Sequence, residues 1–192
     1  QPPCKHFGIC GGCSLQHIDT QAQIELKQDV LAEQFKHFGH LEPQEWLPPL
    51  RHSQAGYRRK ARFGVRFVIK KDSLLLGFRE KGSNYLAELE GCAVMDPRLG
   101  QAMMPLRELI GGLAGKDHIP QVEVAAGDDS VALIFRHMEA LTDEDVQALT
   151  SFCQQRDWQC YLQPAGYDTV HRVYPVEGED RLHYTMPDFG LT

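Results

Sequence analysis

Three cysteines fall within the run Cys4-Lys5-His6-Phe7-Gly8-Ile9-Cys10-Gly11-Gly12-Cys13 at the start of the chain. Thiols packed that densely into one loop usually hold a metal, and six cysteines in 192 residues fall short of the density of a disulfide scaffold. Three ligands call for a fourth. Among Cys92, Cys153 and Cys160, the best placed is Cys92, which follows Gly91 at the end of a strand-like run. A metal there would tie the N-terminal loop to a distant part of the chain.

Spacing leaves the metal open. A Cys-x2-Cys pair suits zinc or an iron-sulfur cluster, because both take tetrahedrally disposed thiolates, but structural zinc usually brings a second close pair. Cys153 and Cys160 are separated by six residues and do not supply one. A lone fourth cysteine suits the free corner of a cubane. Zinc with His6 or His17 as a ligand and a loop without metal both remain open, and disulfides come last. Gly11 and Gly12 suit a loop that turns backbone N–H groups toward sulfur. The remaining histidines are scattered without a metal-binding pair one helical turn apart.

Charge is strongly segregated. Between Arg51 and Lys81 stand ten Lys or Arg against Asp72 and Glu80, a local net charge of +8 in a chain whose total is −6. One basic surface on an acidic body is the electrostatic footprint of a polyanion binder. From Tyr57 the hydropathy alternates with period two: Tyr57, Arg59, Ala61, Phe63, Val65 and Phe67 face one way, Arg58, Lys60, Arg62 and Arg66 the other. Side chains two apart on a strand lie about 6.6 Å from each other, near the spacing of phosphates on an extended nucleic-acid strand. Guanidinium groups fork onto phosphate oxygens. Four cations with no acid between them repel one another until an anion arrives. The opposing reading is a solvated outer face charged against edge pairing. Tyr57 and Phe78 are candidate base-stacking rings, although aromatics on strands more often belong to a core.

Turn and capping signals divide the chain. Asp19 or Thr20 caps a helix with Ile24, Val30, Leu31, Phe35 and Phe38 on one stripe, ended by Gly39, and the proline-rich run 41–49 is a connector. Strands at Tyr57–Lys70, Leu74–Arg79 and Tyr85–Leu89 are expected to form a three-stranded meander that delivers Cys92. Asp96-Pro97 opens a helix that buries Leu99, Met103, Leu106, Ile110 and Leu113. Val122–Ala126 and Val131–His137 flank the hairpin signal Gly127-Asp128-Asp129, Thr142 caps a helix, and Trp158–Leu162 is a further strand. Beyond Pro164 the chain reads as irregular, with a strand at Arg181–Met186. The expected class is α+β, an antiparallel sheet with helices packed on one side and an N-terminal metal-binding loop, which the resemblance given below makes an iron-sulfur loop.

No run approaches the length of a membrane span and no signal segment is present. The cysteine usage fits a reducing cytoplasm. No Ser-His-Asp order, nucleotide fingerprint or paired catalytic carboxylates occur, and Gly111-Gly112-x-x-Gly115 follows a helix instead of opening one, so it is a helix stop. The first residue is not Met, and the end at Phe189-Gly190-Leu191-Thr192 resembles the beginning of a strand, which leads to the expectation that the chain is part of a longer one.

Taken together, Cys4-x5-Cys10-Gly11-Gly12-Cys13-x2-Gln16-His17, then Gly56-Tyr57-Arg58-Arg59-Lys60-Ala61-Arg62, then Gly77-Phe78-Arg79 with Lys81-Gly82-Ser83, and Cys92 resemble the RNA uracil-5-methyltransferases that carry a 4Fe-4S cluster. The resemblance implies Cys4, Cys10, Cys13 and Cys92 as cluster ligands, and the basic segment supplies Arg58, Arg59, Lys60, Arg62, Arg66, Arg79 and Lys81 as the candidate RNA-binding set. The resemblance also implies ribosomal RNA as partner, no membrane and no obligate protein partner. By the same resemblance, residues 1–18 are the cluster loop, 19–165 a central α+β RNA-binding domain, and 166–192 a linker entering a methyltransferase domain that binds S-adenosylmethionine. The catalytic nucleophile of the family belongs to that further domain, and no residue of this chain matches it. A stand-alone, metal-stapled RNA-binding module without catalysis is the alternative.

Overall fold

The computed structural model describes residues 1–51, 53, 55–186 and 190–191; Phe189 and Thr192, in the run read as the start of a strand, lie outside them. Six strands form one sheet in the order β2-β1-β3-β4-β5-β6. They are β1 (Lys60–Val68), β2 (Ser73–Gly77), β3 (Gln121–Ala126), β4 (Val131–Arg136), β5 (Gln159–Gln163) and β6 (His171–Tyr174). Helices α2 (Pro97–Gln101), α3 (Met103–Gly112) and α4 (Asp143–Gln154) pack on one side, α3 against β2 and α4 against β5 and β6. This is the α+β architecture expected, mostly antiparallel with helices on one face.

Local signals account for most boundaries. Asp96 accepts the Arg98 amide at 3.0 Å and Pro97 opens α2, while Thr142 Oγ1 accepts the Asp145 amide at 3.1 Å to start α4. These side chains satisfy amides that have no partner inside the helix. The helix begun at Pro97 breaks at Ala102 into α2 and α3, yet all five residues expected on its buried stripe are buried. Asp145 itself is buried and accepts the Ala114 and Gly115 amides, both at 2.8 Å, locking the end of α3 to the start of α4.

Four expectations are revised. The pair β4–β5 is parallel, because α4 carries the chain from one end of the sheet back to the other. The third strand of the meander reduces to a bridge between Arg79 and Leu86: Gly77, at φ +150°, turns β2 away, and the chain closes a tight hairpin before Ala87 and Leu89 enter the core. The strand expected at Arg181–Met186 forms no ladder; it is held to the β3–β4 turn by the Asp128 amide on the His183 carbonyl and the Thr185 amide on Asp128 Oδ2, both 2.8 Å. The sheet instead gains β6, antiparallel to β5. The helix α1 (Thr20–Gln34), capped by Asp19 as expected and prolonged by a wider turn over Phe35–Gly39, buries none of its stripe. Val30, Leu31, Phe35 and Phe38 are exposed, and Phe35 meets Trp46 of the following connector with ring centroids 6.2 Å apart.

Candidate metal centre and nucleic-acid interface

Cys4, Cys10, Cys13 and Cys92 line one cavity, together with His6 and Phe78. All four thiols are free and partly buried. Among the described residues no three Cys, His, Asp or Glu side chains stand close enough to share a single ion. Four soft thiols on one cavity are a donor set for a metal ion or a polynuclear group. Burial pushes the Cys10 and Cys92 thiols above their ordinary value; the amide of Gly12 offsets this at Cys10, as those of Val94 and Met95 do at Cys92, and the neighbouring thiols add to the rise.

The loop is built by its own backbone. The amides of Ile9 and Cys10 both donate to the His6 carbonyl, and the Gly12 amide points at Cys10 Sγ from 3.4 Å. A Cβ on Gly11 would lie 3.1 Å from the Arg79 carbonyl oxygen, which is why the loop needs glycine where it lies flat against the 79–86 hairpin. The Gly11 amide donates to that same oxygen and the Lys81 amide to Ile9, each at 2.8 Å. On the far side, Cys92 leads into a segment tied to the basic run by Gly56 N–H on the Ala93 carbonyl and Arg58 N–H on the Val94 carbonyl. His6, which also lines the cavity, accepts the Glu90 amide on Nε2 at 3.1 Å. His17 stacks against Phe7.

The strand parity read from the sequence holds, since Phe63 and Val65 are buried while Lys60, Arg62 and Arg66 are exposed on the opposite face. The run of unopposed cations does not hold. Register places Arg62 beside Glu123 on β3, and the guanidinium binds that carboxylate at 3.0 Å and the Tyr167 hydroxyl at 2.9 Å. Glu123 is only 6% exposed, and its charge raises the Arg62 pKa, with the tyrosine contributing less. Arg59 lies on the other face, paired with Asp128 at 2.9 Å and stacked over Tyr184 at 4.5 Å. Arg58 sits over Phe78 beside the thiol cavity. Arg79 spends its guanidinium on the Asn84 carbonyl and so braces its hairpin, on which Lys81 is exposed. Of the seven cations named from the sequence, Lys60, Arg62 and Arg66 therefore share the open face of the sheet. Phe78 packs edge-on against Phe63, as a core ring does, while Tyr57 is exposed.

Elsewhere the chemistry is structural. Arg98 forks onto Asp96 at 2.9 and 3.0 Å and reaches the Gly127 carbonyl, so the Asp96-Pro97-Arg98 run serves helix initiation as expected. Cys153 and Cys160 are fully buried. The hydrogen bond with Cys153, and then burial, pushes the Cys160 thiol far above its ordinary value, which leaves it inert as a nucleophile. Among the described residues no helix is long and apolar enough to cross a membrane.

No protein-family model matches the chain. It is 52% identical over 190 residues to the 23S rRNA (uracil(1939)-C(5))-methyltransferase RlmD of Alcanivorax borkumensis, covering 99% of this chain and 43% of that protein. The RlmD of Nitrosococcus oceani is 53% identical over 187 residues, covering 97% and 41%, and that of Hahella chejuensis 46% over 192 residues, covering 100% and 43%. The chain thus spans about two fifths of the length of these curated relatives. Its fold matches the tRNA (uracil-54, C5)-methyltransferase of Pyrococcus abyssi, solved in complex with S-adenosyl-L-homocysteine, with a TM-score of 0.54 at 17% identity over 91% of this chain and 39% of that one.

Proposed function

From a chain that belongs to the family of 23S rRNA (uracil-C5)-methyltransferases represented by RlmD, we propose the cluster-binding, RNA-recognising part of such an enzyme. The observation that carries this reading is the shared cavity of Cys4, Cys10, Cys13 and Cys92, set directly against the start of the basic strand. Four soft thiolates around one cavity suit a 4Fe-4S cluster by donor chemistry, and Cys4, Cys10, Cys13 and Cys92 would hold it. The cluster's contribution is architectural: it clamps the N-terminal loop and the 79–86 hairpin to the segment that enters the basic strand.

RNA engages the open face through Lys60, Arg62 and Arg66, with Lys81 on the adjoining hairpin, while Arg58, Arg59 and Arg79 hold the elements that present them. Domain assignment follows the sequence reading: 1–18 as cluster loop, 19–165 as central domain and 166–192 as the passage to the methyltransferase domain. Methyl transfer from S-adenosylmethionine to uracil C5 belongs to the intact protein, acting on ribosomal RNA in the cytoplasm, and no catalytic residue is assigned to these 192 residues.

Anaerobic purification of the intact protein should yield about four irons per chain with matching sulfide, and Cys92→Ser should lower both. One zinc per chain and a colourless protein would overturn the cluster. RNA binding without methyl transfer from S-adenosylmethionine would move the reading to a stand-alone RNA-binding module.

A further inference from the structure

Next to the proposed RNA face lies a groove that the sequence reading passed over. It measures ≈ 670 Å³ and runs between Tyr85, on the returning arm of the 79–86 hairpin, and the far end of β1, where Arg66, Lys70 and Lys71 stand. The volume falls in the range of sites that take one small ligand, roughly 300–1,000 Å³. Arg66, Lys70 and Lys71 are all exposed, and no ion pair among the described residues engages them. Glu80 is the one acid on the rim, so the groove is net positive.

Tyr85 is unusual in how it is held. Its ring is 70% exposed, yet its backbone is fixed from several sides. The amide donates to Ser83 Oγ at 2.9 Å, the carbonyl accepts the Glu80 amide at 2.9 Å, and Arg79 clamps the preceding carbonyl of Asn84 at 2.6 Å. The next side chain, Leu86, packs closely over Gly64 of β1, where an added Cβ would lie 2.6 Å from Leu86 Cδ2. The cysteine loop backs the hairpin through the Gly11–Arg79 and Lys81–Ile9 hydrogen bonds. An aromatic ring left in solvent on an immobilised backbone, lining one groove with unpaired cations, is the arrangement that stacks an unpaired base and neutralises its phosphate.

We propose that Tyr85, Arg66 and the Lys70–Lys71 corner form a single-nucleotide subsite for unpaired RNA, with the base stacked on Tyr85 and the phosphate on the cations. The proposal rests on the RNA-binding reading above and extends it by one site. The groove floor is apolar, with Phe67, Val68, Ile69, Leu75 and Leu86, and the cations on its rim favour a base carrying a phosphate over a purely apolar partner.

The test measures binding of the intact, metal-loaded protein to a fluorescein-labelled single-stranded RNA oligonucleotide across a salt series. Tyr85→Ala should weaken binding roughly 5- to 100-fold with little change in salt slope, and Tyr85→Phe, which keeps the ring, should stay within about twofold of the parent. Lys70→Ala with Lys71→Ala should instead flatten the slope by about 1.4. Wild-type affinity in Tyr85→Ala while Arg66→Ala loses affinity overturns the subsite and leaves the RNA face standing. Equal loss in Tyr85→Phe and Tyr85→Ala overturns stacking. Failure of the parent protein to bind the oligonucleotide overturns the RNA reading itself.

Discussion

Replacing Gly100 by alanine should damage the candidate metal centre without touching a ligand. Gly100 lies buried in α2, and a Cβ there would come well inside 3.0 Å of the Cys92 carbonyl oxygen, 3.4 Å from its carbonyl carbon and 3.6 Å from Met95 Cβ. The obstructing atom is backbone and cannot rotate aside. The Cys92 peptide must move, or α2 must lift off it. Alanine is the better helix former by about 1 kcal/mol, whereas forced overpacking costs typically 1–3 kcal/mol. With a rigid neighbour the upper end applies, giving a net loss of about 2 kcal/mol, or roughly 4–8 °C in Tm for a domain of this size. Gly112 is the internal control. It closes α3, is exposed, and has open space where the Cβ would go, so Gly112→Ala should raise stability by about 0.5 kcal/mol. Denaturant melts of both variants, paired with iron analysis, decide the matter. Gly100→Ala should fall in both stability and iron per chain, and Gly112→Ala in neither. A Gly100→Ala protein as stable and as iron-rich as the parent would refute the close approach of α2 to Cys92.

Two further outcomes follow from charge placement. Because Arg62 already shares its charge with Glu123, Arg66→Ala should flatten the salt dependence of single-stranded RNA binding by about 0.7, Arg62→Ala by less, and Glu123→Gln should steepen it; identical slopes for both arginine variants with no effect of Glu123→Gln would contradict the pairing. The hydrogen bonds from Arg98 hold the Asp96 carboxyl below its ordinary value of 3.8, so its charge stabilises the fold above that pH and the benefit is lost as pH falls through the depressed value. Asp96→Asn keeps a capping side chain and loses the charge, so the parent's advantage in urea midpoint should shrink below pH 3.8 and disappear in stronger acid. An advantage that grows on acidification would rule this out.

Short-range features were legible in advance. Asp19, Thr142 and Asp96-Pro97 start helices because a side chain satisfies its own neighbours' amides, and the parity that buries Phe63 and Val65 while exposing Lys60 and Arg66 follows from the two-residue repeat of a strand. The apolar stripe on α1 was equally visible, yet periodicity alone carries no information about whether a partner surface lies opposite it. The same holds for β5, whose apolar run is identical in kind whether it pairs parallel or antiparallel, and for the hairpin that interrupts the expected meander at Gly77.

For the candidate site, composition and spacing along the chain determined which atoms are available: a cluster of thiols at one end, a distant Cys92, and a strand with cations on alternate positions. Only the tertiary structure decided their company. It set Glu123 beside Arg62 across 61 residues, gave His6 to the Glu90 amide, and put Tyr85 and Arg66 in one groove. Periodicity and capping act over a few residues and are written in the local order of side chains, whereas pairing register and loop docking depend on how whole elements pack, where a shift of one residue would exchange every neighbour.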